Sequence, residues 1–121
     1  MPNFMLILQG PPGPYEEISP EKREQAFNKY RAWGDRMRAA DRIVGGGKLK
    51  DEGGKIVAAR QGRVSLTDGP YSEAKEVIGG YVTLRAADYD EVAALVRDHP
   101  HLEFGTIAIR EVDPMGCGKG E

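Results

Sequence analysis

Apolar and polar positions along this chain fall into blocks of different period, and the blocks predict the elements. Phe4-Met5-Leu6-Ile7-Leu8 is a short continuous apolar run closed by Gly10-Pro11-Pro12-Gly13-Pro14, and it reads as a strand buried on both faces. Ser19-Pro20-Glu21 then opens a helix, with a serine N-cap, proline at the first helical position and an acid near the positive end of the dipole. Phe27, Tyr30, Trp33 and Met37 recur at spacings of three and four as far as about Ala40, while Lys22, Arg23, Lys29, Arg31 and Arg36 hold the opposite face. This is the long helix of the domain.

Ile43-Val44 followed by Gly45-Gly46-Gly47 reads as a short strand that loses its side chains where something approaches closely, or bends. The stretch from Lys48 to Lys55 is polar and predicts a loop. Ile56 to Arg60 and Arg63 to Thr67 flank Gln61-Gly62, the two-residue connection of a tight hairpin. Asp68-Gly69-Pro70-Tyr71 is a turn. Val77 to Leu84 predicts a strand interrupted by Gly79-Gly80. Asp88 to His99 predicts a helix, capped by Asp88 with Glu91 three residues on, and stopped by Pro100. Phe104 to Val112 alternates around Ile107 and Ile109 as a last strand. The order β-α-β-(hairpin)-β-α-β suggests a ferredoxin-like α+β sandwich, with two helices on one face of an antiparallel sheet. The other sheet face then needs cover, and a second copy of the chain is the economical answer. Residues 1–112 form the expected domain and residues 113–121 a flexible tail.

Composition narrows the functional classes. The chain has 121 residues, 30% of them charged, and a net charge of -2, which speaks against a general nucleic-acid binder. No apolar run is long enough to span a membrane. Met1-Pro2-Asn3-Phe4 lacks the basic region of a signal peptide, and a single cysteine, Cys117, suits a reducing compartment, so a cytoplasmic protein is expected. The 16 glycines and 8 prolines are an excess that should mark specific turns. They do not form a phosphate loop. Gly47-Lys48 is followed by Leu49, and neither glycine run opens a helix, so nucleotide cradling is rejected.

Thr67-Asp68-Gly69-Pro70-Tyr71-Ser72-Glu73-Ala74-Lys75-Glu76, followed by Gly79-Gly80-Tyr81, resembles the signature of the YCII-related (DGPF-domain) proteins. Tyr71 stands where that family usually has phenylalanine. The resemblance implies a dimeric α/β barrel, in which the sheets of two subunits close face to face. It also implies kinship with small cofactor-free enzymes such as isomerases, monooxygenases and dehalogenases, and, for the DGPF members, an association with extracytoplasmic-function sigma factors. The narrower YCII branch is similar to an enzyme with a histidine on the first helix. Here Ala26 follows Arg23-Glu24-Gln25, so that branch's histidine–acid pair is not reproduced and its mechanism is not carried over.

Among titratable residues His99 draws attention, because it continues the stripe Val92, Leu95, Val96 and should face inward. Dipole and burial pull its protonation in opposite directions, which fits either a general acid or base or a structural histidine closing the helix. Asp98, His99, His101 and Glu103 cluster in sequence, but Pro100 breaks every recognised metal-ligand spacing, so no metal is expected. Asp68 is a candidate to orient His99, or merely the residue that closes its own turn. Tyr71, Glu73 and Lys75 are candidates to bind substrate, with Gly46 and Tyr30 lining the pocket; Tyr30 and Trp33 equally suit the core. Cys117 has no identifiable base and is not a nucleophile. Two functions fit these residues. One is a cofactor-independent enzyme doing acid–base chemistry on a small aromatic or anionic molecule. The other is a regulatory module that contacts a sigma factor.

Overall fold

The computed structural model describes residues 1–13, 18–69 and 76–115. Among these residues six strands and two helices follow in the expected order: β1 (Asn3–Gly10), α1 (Pro20–Ala39), β2 (Ile43–Lys48), β3 (Lys55–Arg60), β4 (Arg63–Asp68), β5 (Val77–Arg85), α2 (Tyr89–Val96) and β6 (Thr106–Glu111), with a 3-10 turn over Pro100–Glu103. Four strands form an antiparallel sheet in the order β2-β5-β1-β6, the ferredoxin-like arrangement, while among the described residues β3 and β4 pair only with each other as a separate hairpin.

Local chemistry explains the element starts. The Ser19 side chain accepts from the Lys22 amide, and Pro20 fills the first position of α1. Asp88 accepts from the Glu91 amide, while Glu91 reaches back to the Ala87 N–H, one residue earlier than in a standard capping box. The hairpin turns on Gln61 and Gly62, with φ of 50° and 81°, the left-handed pair that matches strand twist.

The core fixes which faces meet. Phe4 and Leu6 of β1 and Leu84 of β5 pack in one cluster with Trp33 and Met37 of α1 and Val92 and Val96 of α2, so both helices cover the same sheet face. Phe4, Leu6, Leu84 and Val92 are essentially sealed from solvent, and each contributes about 1.5–3 kcal/mol through burial. Trp33 adds a cross-tie between the helices, its Nε1–H donating to the Leu95 carbonyl at 3.0 Å.

Three expectations need correction. β1 is not buried on both faces: Phe4 and Leu6 are buried whereas Met5 and Ile7 are only half-covered, the alternation of a strand with one core face. The buried stripe of α1 runs through Ala26, Trp33 and Met37, and Phe27 is 41% exposed. The helix expected to end at His99 stops at Val96, because the ring of Pro100 forces the residue before it out of helical space; His99 sits at φ -66°, ψ 131°.

Candidate functional site

Between α1, the ends of β1 and β5, strand β2 and the His99–Phe104 segment lies a cavity of about 420 Å³, within the range of small-molecule sites. Its walls include Leu8, Phe27, Trp33, Ile43, Val82 and Phe104, and its polar residues include Tyr30, His99 and His101. The basic residues Arg38, Lys48 and Lys50 also line it, with Asp51 as the acid among the described residues. Arg38 is tied to Asp35 and Lys48 to Asp51.

Part of the wall is bare backbone from Gly45-Gly46-Gly47 of β2 and Gly79-Gly80 of β5. At Gly46 the reason is close approach: a Cβ there would lie 2.7 Å from the Tyr81 carbonyl oxygen, beside the register shift that follows Ile43. At Gly45 and Gly79 a Cβ would meet nothing within 4 Å, so packing does not demand glycine and the missing side chains leave open space.

His99 is 4% exposed and makes edge-to-face ring contacts with Trp33, centres 4.5 Å apart, and with Tyr30 at 5.4 Å. It caps the 3-10 turn: its Nδ1 accepts the His101 backbone N–H at 3.0 Å. An Nδ1 that accepts carries no proton, so the neutral ring holds its proton on Nε2. Burial, and secondarily the neighbouring His101, push its pKa down to about 4, against a smaller upward pull from Asp98. His99 is therefore neutral near pH 7. Nε2 has no hydrogen-bond partner among the described residues, yet none of their side-chain polar atoms is both sealed and unsatisfied, and His99 is one of the residues that line the cavity.

His101 is held differently. Its Nε2 lies 2.8 Å from the Gln9 carbonyl oxygen, and its Nδ1 lies 3.3 Å from the Tyr30 hydroxyl. A carbonyl only accepts, so Nε2 bears a proton; in the neutral ring Nδ1 then presents its lone pair and the Tyr30 O–H donates to it. Gly105 permits this contact, since a Cβ there would lie 2.0 Å from the Gln9 oxygen and push the turn off the end of β1.

The structure thus brings together His99, Tyr30 and Gly46 from the sequence-derived set. Asp68 is not among the cavity residues; it lies on β4, where its carboxylate pairs with Lys55 across the hairpin. Tyr71, Glu73 and Lys75 lie outside the described residues. Of the clustered acids near His99, Asp98 pairs with Arg36 and Glu103 with Lys29. His101 was visible in the sequence only as a poor metal ligand. The signal for its role is the His-Pro-His spacing, which puts an extended residue, then a tight turn, and so returns the second histidine's amide to the first one's ring.

A two-layer α+β domain with an imidazole- and phenol-bearing cavity between helix and sheet defines the class: a small-molecule-sized pocket on a ferredoxin-like frame. The chain belongs to the YCII-related family, whose domain model matches residues 3–116. In structure it is similar to the 5-chloro-2-hydroxyhydroquinone dehydrochlorinase TftG from Burkholderia phenoliruptrix, solved in complex with 2,5-dihydroxybenzoquinone. The TM-score is 0.53 at 18% identity, over 92% of this chain and 93% of that one. That likeness establishes the fold. No curated protein matches the chain in sequence.

Proposed function

We propose that this chain is a small enzyme that works without a cofactor and performs acid–base chemistry on a small aromatic or anionic molecule held in the cavity. The carrying observation is His99, a neutral imidazole with its proton on Nε2 that lines an apolar-walled pocket beside Tyr30. A buried N–H aimed at a ligand oxygen stabilises negative charge that develops there, and does so better in a water-poor site than in water. The structural neighbour's substrate and ligand, both small oxygenated rings by its name, support a substrate of this size. Tyr71, Glu73 and Lys75 keep in this proposal the substrate-binding role suggested by the signature, and the chain joins the cavity wall at Val77 directly after them.

The proposal includes a homodimer, with the outer sheet face as the contact. Cross-strand partners Tyr81, Ile7 and Ala108 form a row there, away from the helices. A link to a sigma factor rests on the family resemblance alone.

The test uses oxygenated single-ring compounds, 2,5-dihydroxybenzoquinone among them, in calorimetric titrations of wild type and His99→Ala. Wild type should bind at least one of them, and the variant, folded and of unchanged oligomeric state, should lose most of that affinity. Failure of every compound to bind wild type, or equal binding by both proteins, refutes the proposal.

A further inference from the structure

The basic side chains that line the cavity are unequally engaged. The Arg38 guanidinium donates to Asp35, and the Lys48 ammonium donates to Asp51 and to the Leu49 carbonyl. Lys50 also lines the cavity, yet its ammonium makes no ion pair or hydrogen bond with the described residues. Asp51, the acid of the lining among the described residues, is already held by Lys48. One cation of the wall is thus left without a counter-charge. We infer that the ligand supplies it: the substrate is an oxygenated ring carrying a carboxylate, and Lys50 is the residue that selects for that acid. This rests on the enzyme reading above and names its substrate class.

The register of the sheet sets where such an acid would sit relative to the histidines. Leu8 of β1, Gly80 of β5 and Lys48 of β2 are paired in one row across three strands. Directly opposed residues point to the same face of a sheet, and all three line the cavity. Beside Leu8, the Gln9 carbonyl accepts from His101 Nε2 at 2.8 Å, and the His101 amide is bonded to His99. The histidines therefore stand at the β1 end of the row and the lysines at its β2 end. Two strand spacings, about 10 Å of backbone, separate those ends.

The strand between them is bare. At Gly80 a Cβ would lie 3.0 Å from the Gly47 carbonyl oxygen, and at Gly79 it would meet nothing within 4 Å. A flat ring lies across β5 at these glycines, with one ring oxygen at His99 and its carboxylate at Lys50. β2 is an edge strand, and both Lys48 and Lys50 are exposed, so the acid keeps part of its hydration while the ring is covered by apolar walls. Those walls do not distinguish a carboxylate from an uncharged group of the same shape; an ammonium does, because a hydrogen bond between opposite charges is roughly twice as strong as one between neutral groups. The Lys48–Asp51 pair matters here as well, since it keeps the Asp51 carboxylate from repelling the incoming anion.

The experiment pairs 2,5-dihydroxybenzoate with 2,5-dihydroxybenzamide, which share their ring oxygens and nearly their shape but differ by one charge near pH 7. In calorimetric titrations wild type should bind the acid about tenfold more tightly than the amide, the size of one hydrogen bond to a charged group. Added sodium chloride should erode the affinity for the acid and leave that for the amide unchanged. Lys50→Gln should abolish the preference while binding the amide as wild type does, and Lys50→Arg should retain it. Lys22→Gln, an equal change of net charge on an exposed residue outside the cavity, should alter neither affinity. Equal affinity for the two compounds in wild type, a preference insensitive to salt, or one that survives Lys50→Gln overturns the inference and leaves the cavity as a binding site. If wild type binds neither compound, the enzyme reading falls and this inference with it. The wild-type comparison and its salt dependence decide the matter even if a variant folds poorly.

Discussion

Acidifying the solution should unfold this protein through His99 in a way that can be calculated. The ring is 4% exposed, its Nδ1 is committed to accepting the His101 amide, and its pKa falls from 6.5 to about 4. Between those two values the unfolded chain binds a proton that the folded chain refuses, so stability rises with pH there. His99 thus contributes its full effect above pH 6.5 and loses it progressively as the pH falls to about 4. At about 1.36 kcal/mol per pH unit the loss amounts to roughly 3 kcal/mol, a large share of an ordinary domain's stability. Glu91, whose carboxyl is held below its usual range by Arg42 and then by the Ala87 amide, adds acid sensitivity of its own, so a difference measurement is needed. The comparison variant is His99→Asn, whose side-chain oxygen can still accept the His101 amide but cannot titrate. Urea midpoints at pH 7.5, 6.5, 5.5 and 4.5 should give a wild-type curve that converges on the variant's as the pH falls. The variant starts lower because it forfeits the ring contacts to Trp33 and Tyr30, so the slopes rather than the values decide. Parallel curves across that range would refute the burial argument for His99.

Three further substitutions separate backbone crowding from open space and test the tie between the helices. Gly46→Ala, whose Cβ would crowd the Tyr81 oxygen, should cost about 1–3 kcal/mol, whereas Gly45→Ala should leave thermal stability unchanged or raise it by about 0.4–1 kcal/mol; equal melting temperatures would contradict the contrast. Trp33→Phe leaves the Leu95 carbonyl without its donor and should cost about 1–3 kcal/mol, measurable by denaturant melts and accompanied by faster amide exchange at the C-terminal end of α2.

What the sequence made legible was local. The Ser19 and Asp88 caps, the Gln61-Gly62 turn and the last strand through Ile107 and Ile109 each involve residues a few positions apart, and all appear where their chemistry puts them, although burial in that strand does not alternate and it starts at Thr106 rather than Phe104. The placement of the α1 stripe was less clear, since Ala26 and Phe27 both fit a helical period and only the partner surface decides which is covered. At His99 a local signal was outweighed: the proline after it excludes helix, yet the apolar spacing favoured one. The candidate site was half visible. His99, Tyr30 and Gly46 carried a signal of their own, but the role of His101 depends on Tyr30 and Gln9, 71 and 92 positions away. No local pattern encodes a hydrogen bond of that span.

Strands β2 and β5 lie side by side and antiparallel, so a short reversal would have sufficed to join them. The chain instead leaves the sheet after Lys48, builds a hairpin that forms its own two-stranded sheet, runs on through the signature in sequence and returns at Val77. An excursion between two neighbouring strands has both ends anchored by a frame whose ladder closes without it. The four-stranded register does not depend on its length, and its far end re-enters at the wall of the cavity at Val77. Innovation in what this fold recognises has a natural address there.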